Sequence, residues 1–241
     1  MDRIGRKEIT DMTTLSRRMA LRGAGLLVLA SSFGATARAS TQTKFAVTIR
    51  NVATGTTLKL PDGSTSGAPI APGVYVVASR PNVLFTAGGH ADEALERLAE
   101  DGNFQPLLDK VTAMSGLTAS GMFLPGQPFT FRASPGDRLQ FATMFVQSND
   151  LFFAARDGGI VLFDSGGRAM HGKVTGRVAL YDAGTEKNQA PGAGPDQAPR
   201  QGKPNTGAAE RLPIDFVANR RDGFVYPPVE AVIEVEIEPA S

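Results

Sequence analysis

Leu151-Phe152-Phe153-Ala154-Ala155-Arg156-Asp157-Gly158-Gly159-Ile160-Val161-Leu162-Phe163 sets two apolar runs of strand length on either side of a two-glycine turn. Glycines allow the positive φ that a tight reversal needs, so the pattern predicts a central β-hairpin. Upstream, Arg138 to Gln147 reads as a long strand with Leu139, Phe141 and Phe145 apolar, entered through the turn Ser134-Pro135-Gly136-Asp137. Phe129 and Phe131 alternate with Thr130 and Arg132, and Phe45, Val47 and Ile49 with Ala46, Thr48 and Arg50. Period two marks strands with one buried face. Leu58 to Leu60, Val74 to Val77 and Asn82 to Phe85 add shorter strands. Downstream, Lys173 to Tyr181 is a strand, and Val232, Ile233, Val235 and Ile237 sit among Glu234, Glu236 and Glu238, whose side chains face solvent.

Only His90 to Leu98 has a strong helical pattern. Ala91, Ala94, Leu95 and Leu98 fall on one face, Asp92, Glu93, Glu96 and Arg97 on the other, and Asp101-Gly102 stops it. Leu107, Leu108 and Val111 suggest a second short piece. The reading is therefore all-β: an antiparallel β-sandwich of about eight strands with one short helical insertion near residues 90–111. Ala183 to Arg211 is rich in Gly, Pro, Asn and Gln with almost no apolar periodicity. A loop of that length inside a compact domain is either functional or mobile.

The chain has 241 residues, with 25 Lys+Arg against 24 Asp+Glu, and neither Cys nor Trp. Without cysteine there is no disulfide scaffold, thiolate metal site or cysteine nucleophile. The small net charge gives no reason to expect a nucleic-acid partner. Ser16-Arg17-Arg18-Met19 precedes the apolar run Ala24 to Phe33, and Ala37-Arg38-Ala39 is a small-x-small cleavage pattern. Residues 1–39 thus read as an export signal peptide. Its paired arginines suggest the twin-arginine route, and an ordinary Sec signal is the plainer alternative. The mature domain, residues 40–241, carries 18 basic and 21 acidic residues. It is expected to be periplasmic or secreted, with no transmembrane anchor once the signal is cleaved.

No nucleophile motif is present. His90 and His171 lack a second histidine at metal-binding spacing, and Gly192-Ala193-Gly194 runs into proline rather than into a helix that would present amides to a phosphate. The informative residues are acidic. Ser148-Asn149-Asp150 ends one strand and Tyr181-Asp182-Ala183-Gly184-Thr185-Glu186 ends another. Loops gather at the end of a sandwich, so Asp150, Asp182 and Glu186 can converge there, and hard carboxylate oxygens on loops are what Ca²⁺ takes. Two alternatives stand beside this. Asp150 and Asp182 can simply cap turns through local hydrogen bonds. The same acidic apex can also serve a periplasmic metal-dependent hydrolase, although nothing marks one carboxyl as proton donor.

Several segments together resemble the spondin domain family: Phe45-Ala46-Val47-Thr48-Ile49-Arg50-Asn51, Asn82-Val83-Leu84-Phe85-Thr86-Ala87-Gly88, Leu98-Ala99-Glu100-Asp101-Gly102, Gln147-Ser148-Asn149-Asp150-Leu151-Phe152-Phe153 and Tyr181-Asp182-Ala183-Gly184-Thr185-Glu186. Gln197-Ala198-Pro199-Arg200-Gln201 and Asn205-Thr206-Gly207 resemble its bacterial, exported branch. The resemblance spans nearly all of residues 40–241. It implies an antiparallel sandwich that serves extracellular recognition and adhesion without catalysis. It further implies a Ca²⁺ at one end, held at the positions of Asp150, Asp182 and Glu186, and a cell-surface or periplasmic ligand of unknown identity. Two departures matter: Phe129-Thr130-Phe131-Arg132 offers no extra carboxylate, and the cysteines of animal members are missing.

Overall fold

Phe45, Val47 and Ile49 are fully buried along β1 (Thr43–Asn51), and the residues between them are half-exposed. The structure, a computed structural model, describes residues 42–240, and the expected export signal lies outside them. Next come the short pair β2 (Leu58–Lys59) and β3 (Thr65–Ser66), then β4 (Ile70–Ala78). The helices are α1 (Glu93–Asp101) and α2 (Gln105–Thr112). β5 (Ala119–Phe123), β6 (Pro128–Ala133), β7 (Arg138–Phe145), β8 (Leu151–Ala155) and β9 (Ile160–Val161) come after them. The chain ends with β10 (Gly172–Lys173), β11 (Val178–Asp182), β12 (Asp215–Phe216) and β13 (Ile233–Ala240).

Among the described residues two larger antiparallel sheets form, ordered β10-β13-β1-β6 and β12-β11-β8-β7-β4-β5, with β9 also on β7. Phe45, Val47, Ile49, Val235 and Ile237 of the smaller sheet meet Tyr75, Val77, Phe141, Phe153 and Leu180 of the larger one. This is the expected sandwich core. Burying each such side chain stabilises the fold by roughly 1.5–3 kcal/mol.

The larger sheet is buried on its second face as well. Val74, Val76, Ala142, Phe152, Ala154 and Tyr181 pack under Leu95, Leu98, Leu107 and Val111 of the two helices. The helical insertion is thus a third layer, and it explains why Val74 to Val77 and Leu151 to Ala155 read as continuous apolar runs rather than as alternation. Asp92 caps α1 by accepting from the Leu95 N–H at 3.0 Å, and Gly102 ends it at φ 67°, as expected of Asp101-Gly102.

Several expectations are corrected. The two central runs do not form a hairpin. Ala154 lies opposite Ala142 and Ile160 opposite Leu139, so a step of six residues on one side spans three on the other. β8 and β9 therefore run end to end along β7, with the chain looped out between them. Asp157, Gly158 and Gly159 take up that bulge with φ of 53°, 70° and 124°. The glycines do supply the positive φ expected of them, but the loop they build returns the chain to the same edge. Asn82 to Phe85 is not a strand: Asn82 is left-handed at φ 56°. The Gln140 side chain occupies the segment instead, accepting from Val83 N and donating to Arg80 O. Lys173 to Tyr181 is two strands, because β10 belongs to the smaller sheet and β11 to the larger.

Candidate functional site

The site begins where β7 hands over to β8. Ser148 Oγ donates to Phe145 O at 2.6 Å and accepts from Leu151 N at 3.0 Å, closing the turn that carries Asn149 and Asp150. On the neighbouring strand Asp182 is paired with Leu151, and Ala183 N donates to Asp150 O at 3.1 Å. Sheet pairing thus brings Asp150 and Asp182 together, and both are completely buried.

Asp150 organises the segment after β11. Its Oδ2 accepts from the backbone N–H of Thr185 at 2.8 Å and of Glu186 at 3.1 Å, and from Thr185 Oγ1 at 3.3 Å. Gly184 makes the approach feasible. It sits at φ +71°, and a Cβ there would lie 2.3 Å from Leu212 O. Asp182 Oδ1 accepts from Gly184 N at 2.7 Å and from Arg220 at 3.1 Å, and Oδ2 from Asn188 Nδ2 at 2.7 Å. Asn188 also donates to Asp222, whose Oδ2 accepts from the Tyr226 hydroxyl at 2.6 Å.

Glu186 joins this cluster through its backbone rather than its carboxylate. Its Oε2 accepts from Asn149 Nδ2 at 3.2 Å and its Oε1 from Gly207 N at 2.8 Å. A Cβ at Gly207 would come within 2.0 Å of Glu186 Oε2, so any side chain there would displace this carboxylate. Of the three residues singled out in sequence, the structure sets Asp150 and Asp182 on adjacent strands, near enough for the Asp182 charge to act on Asp150, and engages the Glu186 carboxylate separately. Both aspartates also hold backbone N–H groups, as the turn-capping alternative expects.

One atom stands apart. Asp150 Oδ1 is buried and has no hydrogen-bond partner. Desolvation first, and the Asp182 charge second, push the Asp150 carboxyl well above the usual carboxylate range, against the two backbone N–H groups that favour its ionised form. Burial likewise raises Glu186, opposed by its bonds from Asn149 and Gly207. A cation beside Asp150 and Asp182 would relieve both the desolvation and the repulsion, so this pair suits a hard ion. Among the described residues, however, no three His, Cys, Asp or Glu side chains form a group placed to hold a metal ion.

The long loop is ordered by its own hydrogen bonds. Lys187 N donates to Ala208 O, Glu210 N to Thr185 O and Leu212 N to Gly184 O, forming an irregular two-stranded strap. Gln197, fully buried, donates to Ala190 O and accepts from Gly192 N. Arg200 reaches Gln147 Oε1 at 3.0 Å through both terminal nitrogens. Sequence reading missed Glu100, Asn188, Arg220, Asp222 and Tyr226. Arg220-Arg221-Asp222 looks like a solvated charge run, and only the fold shows that Arg220 turns inward onto Asp182.

Neither a scan of protein-family models nor a search of curated proteins returns a match for this chain. Among the described residues no helix is long and apolar enough to cross a membrane.

Proposed function

We propose that the chain is an exported, calcium-binding recognition module of the spondin type, without catalytic activity, whose ion orders the apex loops that meet a cell-surface or periplasmic ligand. The observation that carries the reading is Asp150 Oδ1, a fully buried carboxylate oxygen without a donor that also feels the charge of a second buried carboxylate, Asp182. Asp150 and Asp182 would supply the charged ligands, with Glu186 as a third once its carboxylate releases Asn149 and Gly207. An ion there would bind with a structural role, because both aspartates are sealed from solvent and a catalytic metal needs a position open to substrate. The same burial weighs against the hydrolase alternative.

Thermal unfolding of the metal-stripped protein, alone and with millimolar calcium or magnesium, tests this. At calcium about a hundredfold above Kd the stabilisation is about 2.7 kcal/mol, which raises Tm by roughly 5–10 °C in a domain of this size. Magnesium, which demands a tight octahedral shell, should do much less. A Tm indifferent to calcium removes the ion from the function and leaves Asp150 and Asp182 as turn-holding groups.

A further inference from the structure

The 183–212 segment, α1 and the residues just before it line a cavity of about 430 Å³. Glu100 and Thr185 lie at its floor, Glu96 and Glu210 are half-buried in its wall, and His90 and Arg211 are exposed at its rim. Glu100 is only 3% exposed, and its Oε2 has no hydrogen-bond partner. A carboxylate oxygen in that setting is costly unless a proton or a cation meets it.

The shape of the site discriminates between kinds of cation. No three acidic or histidine side chains among the described residues converge on a point that a bare metal ion would fill. The carboxylates are instead spread around a volume of small-molecule size. Such spacing suits an organic cation whose charge meets Glu100 while its carbon stem lies along Ala91 and Leu212. Quaternary ammonium groups are held by aromatic faces, and no Phe, Tyr or Trp lines this cavity among the described residues. An ammonium with three N–H donors matches an acceptor-rich floor.

The geometry points to this cavity as a binding site for a small primary amine, its ammonium group on Glu100 Oε2 and within reach of the Thr185 hydroxyl and the Glu96 and Glu210 carboxylates. The site stands whether or not calcium occupies the neighbouring aspartates. Burial raises the Glu100 carboxyl to about 7, moderated by Thr185 and reinforced by Glu186, Glu96 and Asp101. Glu210 and Arg211 of the strap face the same space, as does His90. Deprotonation of Glu100 favours a bound cation, so affinity rises with pH through neutrality.

The test is titration of the whole protein with butylammonium chloride in the presence of chelator, monitored by backbone amide NMR. Saturable shifts at residues 90–100, 183–185 and 205–212 are expected, with a Kd of about 1–10 mM. Tetramethylammonium at equal concentration should not reproduce them. Glu100→Gln should weaken binding about tenfold or more, as loss of a charge-assisted bond does. Ala209→Leu, which crowds the cavity without altering its charge, should weaken it too. The proposal is overturned by shifts that tetramethylammonium matches, by absence of saturation, or by a Glu100→Gln protein that binds as the parent does. Chelator throughout keeps this outcome separate from that of the calcium titration.

Discussion

Two acidic regions of this molecule carry the same chemical groups and use them in opposite ways. On the outer face of the smaller sheet, Glu234 and Glu236 of β13 stand beside Arg50 of β1, and Glu234 also meets Lys173 of β10. These pairs are partly exposed, and the bonds from Lys173 hold the Glu234 carboxyl below its usual range. At the apex, Asp150 and Asp182 are wholly buried with Arg220 as the one cation bonded to the pair among the described residues, and Asp150 is pushed upward. Water screens the first group, so its members are nearly independent of the fold. The second has exchanged water for backbone N–H groups, so its members hold the loops in place and are held by them. Buried carboxylates, not acidic residues as such, mark where this fold is sensitive to protons.

The largest effect should come from breaking the apex. Asp182→Ala deprives the half-buried Arg220 of its carboxylate and frees the N–H groups of Gly184 and Asn188; a loss of about 3–5 kcal/mol is expected in urea unfolding in chelator, and a larger one in calcium because a ligand is lost as well. A loss confined to calcium would mean that Asp182 acts mainly as a metal ligand. Asp150→Asn separates the roles more cleanly. It should abolish the calcium increment of about 2.7 kcal/mol while leaving stability in chelator unchanged or about 1 kcal/mol higher, since a repelling charge is removed. Retention of the calcium response in this variant would exclude Asp150 as a ligand.

A smaller and broader effect is expected from pH. Asp150, Glu186 and Glu100 all have folded values raised above the unfolded ones. The folded state then binds more protons, so their contribution is fully present below the unfolded carboxylate range and is lost as pH rises through the folded values. For Glu100 that window runs from its ordinary 4.5 to about 7. Asp62, Asp92, Asp164 and Glu234 are lowered and act in the opposite sense, losing their contribution only as pH falls below their ordinary range. In chelator, Tm should therefore decline between about pH 4.5 and 7, and calcium should flatten the decline by replacing the protons. A Tm that climbs steadily across that interval would contradict the raised values. The least effect belongs to the exposed ladder: Glu236→Gln should move Tm by less than about 2 °C, and 1 M salt should erase the difference.

The parts of the fold open to sequence reading are those with a strong period or a strong stop. Alternation marks β1, β6, β7 and β13, and an apolar stripe ended by Asp101-Gly102 marks α1. Segments governed by non-local partners are hidden. β5, running from Ala119 to Phe123, has no alternating pattern and is a strand because β4 supplies its ladder. The region from Asn82 to Phe85 has strand-like residues but bonds to a side chain instead of a strand. At the site, Asp150 and Asp182 are open to reading because each borders an apolar run. Glu100 is not: its helical position shares the polar face of Glu96, and the strap that buries it arrives from about a hundred residues downstream.

The sequence by itself determined the antiparallel sandwich, its helical insertion and the position of Asp150 and Asp182 at the ends of apolar strands. These come from local periodicity and turn chemistry, which act over a few neighbouring residues. Only the tertiary structure decided that the central runs lie end to end, that Arg220 turns inward, that Glu186 holds Gly207, and that Glu100 floors a cavity. Each of those depends on where a distant backbone passes, and burial by that backbone is what changes the energy of a charge.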